Sequence, residues 1–208
     1  MYIMGYEFEP GVKIQGKDLS RIDLTGVDVR GADFSQSNLQ GAILSGTNLA
    51  YANLRGANLR GANLCDANLQ GADFSDADLS NTMLRGAILQ GVNLVDAKLS
   101  GINLAGKDFA GANFERQNFA GYDLSGTNLS GANLFRANLK GANLEGANLS
   151  GANLGGSDLS EANLMFAVID NAKFIAANLR RAQVRGADFS NADLSSATLP
   201  NGNLQLGK

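Results

Sequence analysis

Apolar residues recur at every fifth position over almost the whole chain. From Ile14 to Leu204 there are 39 such central positions without a slip in register, and all but eleven are Leu. The neighbouring positions repeat as well: Ala stands two residues before in 24 units, Asn or Asp one residue before in 30, and Gly two residues after in 21. The segment 132–141, ANLFRANLKG, shows two successive units. A repeat of this length determines the architecture.

A period of five fits neither a helix nor an uninterrupted strand. Five helical residues turn through about 500°, so the apolar positions would spiral around a helix, and a half-buried strand alternates with a period of two. The Ala and central positions lie two apart and therefore point to one side of a short extended segment. The Asn or Asp between them points to the other side, and the remaining two residues must turn the chain. Each unit is thus one short side and one corner of a coil that closes around Ala and Leu.

The Gly position bears on the form of the corner. Eighteen units carry another residue there, among them Arg21, Tyr51, Asp76 and Phe166. A left-handed backbone is unfavourable for such residues. We therefore expect a mixture of turn types around the coils.

The unit A(N/D)LxG, repeated from residue 12 to residue 206, resembles that of the pentapeptide-repeat protein family. The resemblance implies an all-β fold, a right-handed quadrilateral parallel β-helix (β-solenoid) with four pentapeptides per coil and about ten coils. Phe34, Phe74, Phe114 and Phe174 are separated by multiples of twenty, which agrees with four units per coil. The closing LPNG at 199–202 is similar to the ends of many cyanobacterial members, so a bacterial source of that kind is expected.

The repeat boundaries predict three segments. Residues 1–11 form an N-terminal cap, residues 12–206 a single uninterrupted β-helix, and residues 207–208 a tail. The apolar side chains available to the cap are Tyr2, Ile3, Tyr6 and Phe8. A parallel stack of coils leaves open edges that recruit other chains. Little apolar material follows Leu204, so the C-terminal coil is expected either to fray or to be covered by a second copy in a homodimer.

Composition narrows the classes of function. The chain has no histidine and a single cysteine, Cys65, which removes the usual general base and the usual metal-ligand clusters. A filled solenoid also offers no deep pocket, so we expect neither an enzyme nor a bound cofactor or metal. The net charge of −3 does not indicate direct binding of nucleic acid. The N-terminus lacks the features of a secretory signal, and no apolar run approaches the ~20 residues that cross a bilayer, so we expect a cytoplasmic protein without a membrane partner.

One coil departs from the inward pattern. Lys107, Gln117 and Tyr122 occupy positions that are usually Ala, and the central positions of the same coil include Phe109, Phe114 and Phe119. Large residues at both inward positions should overfill a normal coil. Two interpretations stay open: a recognition spot or ion site near Lys107, or a packing variant, which we favour.

Apolar residues at outward positions are the more informative surface signal. The candidate partner surface is formed by Phe135, Met165, Phe166, Val168 and Ile175. Phe135 and Ile175 share one column with Gly155 between them, which suggests a shallow notch. A smaller group contains Ile43, Met83 and Ile88. Clustered exposed apolar residues often mark partner sites, although single ones are ordinary.

Two functions follow from these features. The preferred one is a non-enzymatic scaffold that presents flat β-helix faces to a protein partner, as repeat solenoids commonly do. The alternative rests on the resemblance, because some members of the family mimic DNA, bind DNA gyrase or topoisomerase and protect against quinolones. That activity demands a strongly negative surface. Here residues 1–104 carry 11 acidic and 8 basic residues, and residues 105–208 carry 9 of each.

Overall fold

The computed structural model describes residues 1–3 and 5–201 and divides into two compact units. Unit 1 covers Met1–Asn103 and unit 2 covers Leu104–Lys208. Unit 1 opens with a short antiparallel hairpin of strands β1 (Tyr2–Ile3) and β2 (Tyr6–Glu7). The side chain of Phe8, directly after this hairpin, is buried. No helix within the described part of the chain is long and apolar enough to cross a membrane.

The remainder of each unit is a coil whose backbone pairs with itself twenty residues further along. Single-residue parallel bridges at the Asn/Asp positions run from Lys13↔Asp33 to Asp78↔Lys98 in unit 1, and from Asp108↔Asn128 to Asn178↔Thr198 in unit 2. A spacing of twenty places four pentapeptides in each coil, as the sequence predicts. The extended segments are too short to form longer strands because a corner follows after three residues.

Every backbone N–H of a typical unit has a partner, as buried backbone requires. The N–H of Leu39 donates to Asn58 O (2.7 Å) and that of Asn38 to Lys17 O (2.9 Å), which joins the unit to the coils on both sides. The N–H of Gly41 donates to Arg60 O (2.9 Å), and that of Ser37 closes the preceding corner on Phe34 O (3.1 Å). The fifth N–H, that of Gln40, donates to the side-chain Oδ1 of Asn38 (3.2 Å).

The core consists of the two inward positions of each unit. The central Leu and Phe residues and the small Ala residues are nearly all buried. Where Ser or Thr replaces Ala, the hydroxyl is also buried but donates to a main-chain carbonyl: Thr47 Oγ1 to Leu24 O (2.7 Å) and Ser157 Oγ to Leu154 O (2.7 Å). The hydrogen bond offsets the cost of burying a polar atom.

The corners from residue 16 to residue 186 share one backbone conformation, so the expected mixture of turn types is wrong for these corners. From Gly16 to Gly186 every corner residue has a positive φ, whether it is Gly or not. Arg21 (58°), Tyr51 (58°) and Phe166 (60°) lie in the left-handed region beside Gly residues at 62–76°. With the hydrogen bond across the corner, as from Ala42 N to Leu39 O (3.0 Å), this is the type II turn. Parallel pairing on both sides imposes it, because a different turn would rotate the next side out of register.

The Asn side chains form ladders along the sides. The Nδ2 of Asn58 donates to Asn38 Oδ1 (3.0 Å), and that of Asn38 donates to Asp18 Oδ1 (2.9 Å). An Asn can both accept and donate within such a ladder, whereas an ionised Asp only accepts. Asp18 therefore stands at the N-terminal foot of its ladder, as Asp28, Asp33, Asp73, Asp108, Asp123 and Asp158 do in theirs. These ladders explain why the position before the central residue is so often Asn or Asp.

Candidate interaction surfaces

Val168 ends one ladder and replaces it with apolar surface. We call the column of Asp108, Asn128, Asn148, Val168 and Asp188 the Val168 side. The side-chain Nδ2 of Asn128 donates to Asp108 Oδ1 (2.8 Å), and that of Asn148 donates to Asn128 Oδ1 (3.2 Å). Val168 has no side-chain amide, so the ladder ends at Asn148. Its side chain is 52% exposed. Ile43, Met83 and Ile88 occupy the same position of the repeat in unit 1 and are exposed as well.

Phe166 lies at the corner that leads into the Val168 side. Its backbone is left-handed, and its ring is 54% exposed. The ring lies over Gly186, because a β-carbon built on that glycine would be 2.6 Å from Phe166 Cδ1. Tyr51 covers Gly71 in the same manner in unit 1. Met165, the residue before Phe166, is half-buried.

The backbone pairing opens on the Val168 side between residues 167–171 and 187–191. On the side before it, Leu164 N donates to Gln183 O (2.8 Å), and on the side after it, Phe174 N donates to Asp193 O (2.7 Å). The equivalent bonds from Ile169, Asn171 and Asp188 are missing, although all three residues belong to the described part of the chain. Ala187, at a position where Ala is normally buried, is half-exposed.

The opening leaves a cleft of about 330 Å³, which we call the Val168 cleft. It is lined by Phe166, Ala167, Val168, Ile169, Asp170, Gly186, Asp188, Ser190 and Asn191. One wall is therefore mainly apolar, while the other carries carboxylate and polar groups. Asp170 accepts from Asn191 Nδ2 across the cleft (2.9 Å) and from Asn171 Nδ2 (2.9 Å).

Asp188 stays ionised in this cleft. The backbone N–H of Ser190 donates to its Oδ1 (2.9 Å), and this bond, followed by that of the Ser190 hydroxyl, lowers the pKa of Asp188 below its ordinary value. The set of lining residues contains two carboxylates and neither Lys nor Arg. The cleft thus combines apolar surface with negative charge.

Phe135 and Ile175 belong to a different corner column from the Val168 cleft. They lie two residues after Asn133 and Lys173, whereas Phe166 lies two residues before Val168. The prediction of a notch over Gly155 is wrong, because the ring of Phe135 lies against this glycine. A β-carbon built on Gly155 would be 3.1 Å from Phe135 Cδ2. The guanidinium of Arg136 lies 5.1 Å from the centre of the same ring. The predicted surface therefore consists of two parts, the Val168 cleft and the Phe135 corner.

The irregular coil accommodates its large residues through aromatic packing. The rings of Phe109, Phe114 and Phe119 meet edge to face at 5.2 and 5.1 Å, and Tyr122 joins them at 5.7 Å from Phe119. Lys107 and Tyr122 are half-buried rather than fully enclosed. Gln117 is buried, and its side-chain oxygen accepts the N–H of Asn118 (2.8 Å). Across the described ranges, no group of three His, Cys, Asp or Glu side chains is placed to hold a metal ion.

Two features of the structure are not predicted by the sequence. The first is the open pairing beside Val168, whose only sequence signal is a valine in a ladder of asparagines. The second is a groove of about 430 Å³ in unit 1 lined by Ser20, Arg21, Asn38, Gln40, Gly41 and Arg60. In this groove Arg60 is also placed 3.7 Å from Asp78. Arg21 and Arg60 are 39 residues apart in the sequence and line one groove only because successive coils stack.

Comparison with known proteins agrees with this architecture. The family model described as "Pentapeptide repeats (8 copies)" matches in overlapping segments that together span residues 11–205. HetL, a pentapeptide repeat protein involved in heterocyst differentiation regulation in the cyanobacterium Nostoc sp. strain PCC 7120, is 30% identical with a TM-score of 0.50. That match covers 96% of this chain and 93% of HetL. No curated protein matches significantly.

Two further solved structures are similar over part or most of the chain. A pentapeptide repeat protein of the Arabidopsis thaliana thylakoid lumen is 35% identical over 48% of this chain and 69% of its own, with a TM-score of 0.46. QnrB1, a plasmid-mediated fluoroquinolone resistance protein, is 26% identical in one form over 93% of this chain and 92% of its own, with a TM-score of 0.42. The extent of the family match, the pairing at twenty residues and the likeness to HetL together identify the chain as a member of the pentapeptide-repeat family with its right-handed quadrilateral β-helix fold.

Proposed function

We propose that the protein is a non-enzymatic scaffold that binds a protein partner through the outward apolar residues of unit 2. The observation that carries the proposal is the exposure of Phe166 and Val168 at positions where the repeat most often places Gly and Asn or Asp, respectively. Apolar surface of this kind is stabilised when a partner covers it. The proposal places the protein in the cytoplasm and requires neither cofactor nor nucleic acid.

The likeness to HetL supports a role of this class. HetL is described as involved in the regulation of heterocyst differentiation, and a regulatory role of that kind is compatible with binding of a protein partner. The fold alone does not establish the role. The role is therefore tested by substitution of the outward apolar residues Phe135, Phe166 and Ile175.

The test compares captured partners between matched variants. Phe135→Ser/Phe166→Ser/Ile175→Ser removes the apolar side chains, while Gln40→Ser/Gln70→Ser/Lys140→Ser changes three exposed polar ones. We expect quantitative affinity purification from the source cells to show proteins that the wild type and the polar control retain and the apolar variant loses. Identical profiles for all three, with unchanged circular dichroism, would contradict the proposal.

The charge distribution favours the scaffold over a DNA-mimicking modulator of DNA gyrase or topoisomerase. DNA mimicry needs a dense negative surface, whereas the formal charge is −3 over residues 1–104 and zero over residues 105–208. Of the 39 outward positions before the central residue, 19 carry the neutral Asn and only 11 carry Asp. We expect no inhibition of gyrase supercoiling and no protection against a quinolone at low micromolar protein. Either effect would make DNA mimicry the better account.

A further inference from the structure

We propose that the Val168 cleft binds an extended peptide segment of the partner in which apolar and basic residues alternate. This inference rests on the proposed function in one respect, namely that the partner is a protein. It adds the place of docking, the backbone conformation of the bound segment and its charge.

The open pairing leaves a set of backbone groups available to an incoming strand. In most other units, the N–H groups equivalent to those of Ile169, Asn171 and Asp188 donate to the adjacent coil. Within the described residues, these three N–H groups make no backbone hydrogen bond. The carbonyls that would accept from them, those of Asp188, Ser190 and Ala167, are likewise unused by the backbone. Unpaired donors and acceptors along a sheet edge are what an added strand binds.

Among the described residues of this coil, the opening of the backbone pairing is confined to the Val168 side. One side earlier, Gln183 N donates to Ala162 O (2.9 Å), and one side later, Asp193 N donates to Ala172 O (2.9 Å). The corner bonds Ala187 N to Val184 O (3.1 Å) and Ala192 N to Phe189 O (3.1 Å) are also intact. The segment 187–190 thus keeps its corner hydrogen bonds while it is detached from its neighbour, and Asn191 after it lacks the positive φ of the preceding corners.

The lining of the Val168 cleft combines apolar and acidic side chains. Phe166 and Val168 offer exposed apolar surface, and Asp170 and Asp188 offer two carboxylates. Since no cation lines the cleft, a lysine or arginine of the incoming segment supplies the complementary charge, and an apolar neighbour packs on Val168. A volume of about 330 Å³ is at the low end for ligand pockets, so it accepts a few side chains rather than a folded surface.

The experiment uses a fluorescent heptapeptide of alternating Lys and Val with blocked ends, titrated against the whole protein by fluorescence anisotropy. We expect saturable binding that the Glu–Val counterpart lacks and that N-methylation of alternate peptide bonds abolishes. Asp170→Asn/Asp188→Asn should weaken binding about tenfold, because the amides keep the shape but not the charge. Val168→Asn should remove the apolar contact, while Ile43→Asn and Asp23→Asn in unit 1 are the matched controls.

Hydrogen exchange provides a readout that does not depend on affinity. The amides of Ile169, Asn171 and Asp188 should exchange much faster than those of Leu149 and Gly151, and the peptide should protect them. Equal binding of the N-methylated peptide, or of the Glu–Val peptide, would overturn the proposal. So would a homodimer that Val168→Asn dissociates, since a second copy of the chain would then be the occupant.

The outcomes also separate this inference from the proposed function. A partner that is lost with the Phe135/Phe166/Ile175 variant but remains bound to Asp170→Asn/Asp188→Asn and to Val168→Asn would overturn docking in the cleft and leave the scaffold in place. Identical capture profiles together with specific binding of the Lys–Val peptide would contradict the scaffold surface and support the cleft.

Discussion

The ring of Phe166 covers the α-carbon of Gly186 in the following coil, so closely that a β-carbon there would lie 2.6 Å from Cδ1. We therefore expect Gly186→Ala to destabilise unit 2 on two grounds, the left-handed φ of 76° and the displaced ring. The strained backbone alone costs about 1–2 kcal/mol. In a Phe166→Ser background only that cost should remain.

The measurement is a double-mutant cycle by urea denaturation. A coupling energy of about 0.5–1 kcal/mol between the two positions is expected for residues in direct contact. Gly146→Ala is the control, because its φ is 63° and a β-carbon there meets nothing within 4 Å. Additive effects of Gly186→Ala and Phe166→Ser would show that the ring does not constrain Gly186.

Ala176 is strained by the shared corner conformation. It is exposed and has a φ of 57°, so Ala176→Gly removes a single methyl group and relieves the backbone. We expect the free energy of unfolding to rise by about 0.5–1 kcal/mol, since the relief exceeds the entropy that glycine adds to the unfolded chain. A chemical denaturation midpoint that falls in Ala176→Gly would contradict a uniform left-handed corner.

The Asn ladders are directional, and a carboxylate on the second rung should break one. Asn143 donates from Nδ2 to Asp123 Oδ1 (3.1 Å), so Asn143→Asp sets two carboxylates against each other. We expect a loss of about 1–3 kcal/mol at pH 7 from the missing donor and the repulsion. Asn148→Asp, where the facing group is the Asn128 amide (3.2 Å), should cost less. Equal denaturation midpoints for the two variants would argue against the ladder.

Stability should fall in acid through aspartates followed two residues later by Ser or Thr. The hydroxyl and then the backbone N–H of Ser125 lower the pKa of Asp123 below its ordinary value of 3.8. The pKa is also lowered in Asp18, Asp23, Asp33, Asp78, Asp188 and Asp193. The folded state binds these protons more weakly than the unfolded chain. The stabilisation is therefore complete above about pH 3.8 and lost as the pH falls through the lower folded values.

Carboxyl-carbon NMR titration of Ser125→Ala tests the cause. Removing the hydroxyl should move the pKa of Asp123 upward towards its ordinary value, because the largest stabilising hydrogen bond is lost. Ser130→Ala, which follows Asn128 instead of an aspartate, should leave that titration unchanged. An unshifted Asp123 curve in Ser125→Ala would refute the assignment.

We propose that the N-terminal segment caps unit 1, and Phe8 provides the test. Its side chain is 2% exposed, and its N–H donates to Met1 O (2.6 Å). Phe8→Ala should lower the free energy of unfolding by about 3–5 kcal/mol, as for other buried phenylalanines. Tyr2→Ala, at a side chain 75% exposed, is the control. Similar denaturation curves for both variants would mean that the segment does not cap the coil.

The inward and outward positions could be read directly from the sequence. Ala and Leu are two apart and buried, the Asn between them reaches outward, and the spacing of Phe34 and Phe74 anticipated coils of twenty residues. These predictions are confirmed because they depend on alternation and periodicity, which are local properties. The side-chain ladders follow from the same spacing.

The corners and the Val168 cleft depend on contacts that a single repeat does not reveal. Propensity argues against left-handed Arg21 and Tyr51, yet pairing with neighbouring coils overrides it. The detachment of 187–190 requires knowing which N–H groups lack partners, and residue types alone do not provide that. The predicted homodimer contact at the C-terminal coil, with Leu204 and the tail, lies largely outside the described residues.

Directional ladders also restrict how such a chain can lengthen during evolution. A twenty-residue duplication keeps every residue on its own side, whereas a single added pentapeptide would move all later residues to the next side. Even the duplication of a whole coil is constrained. A second copy of the Asp123 coil would stack one Asp on another, and the upper Asp would take the place of the Asn whose amide donates to the lower carboxylate. Coils with Asn at every ladder position, such as residues 132–151, are therefore the segments most readily duplicated. Coils that contain an aspartate at a ladder position are the least readily duplicated.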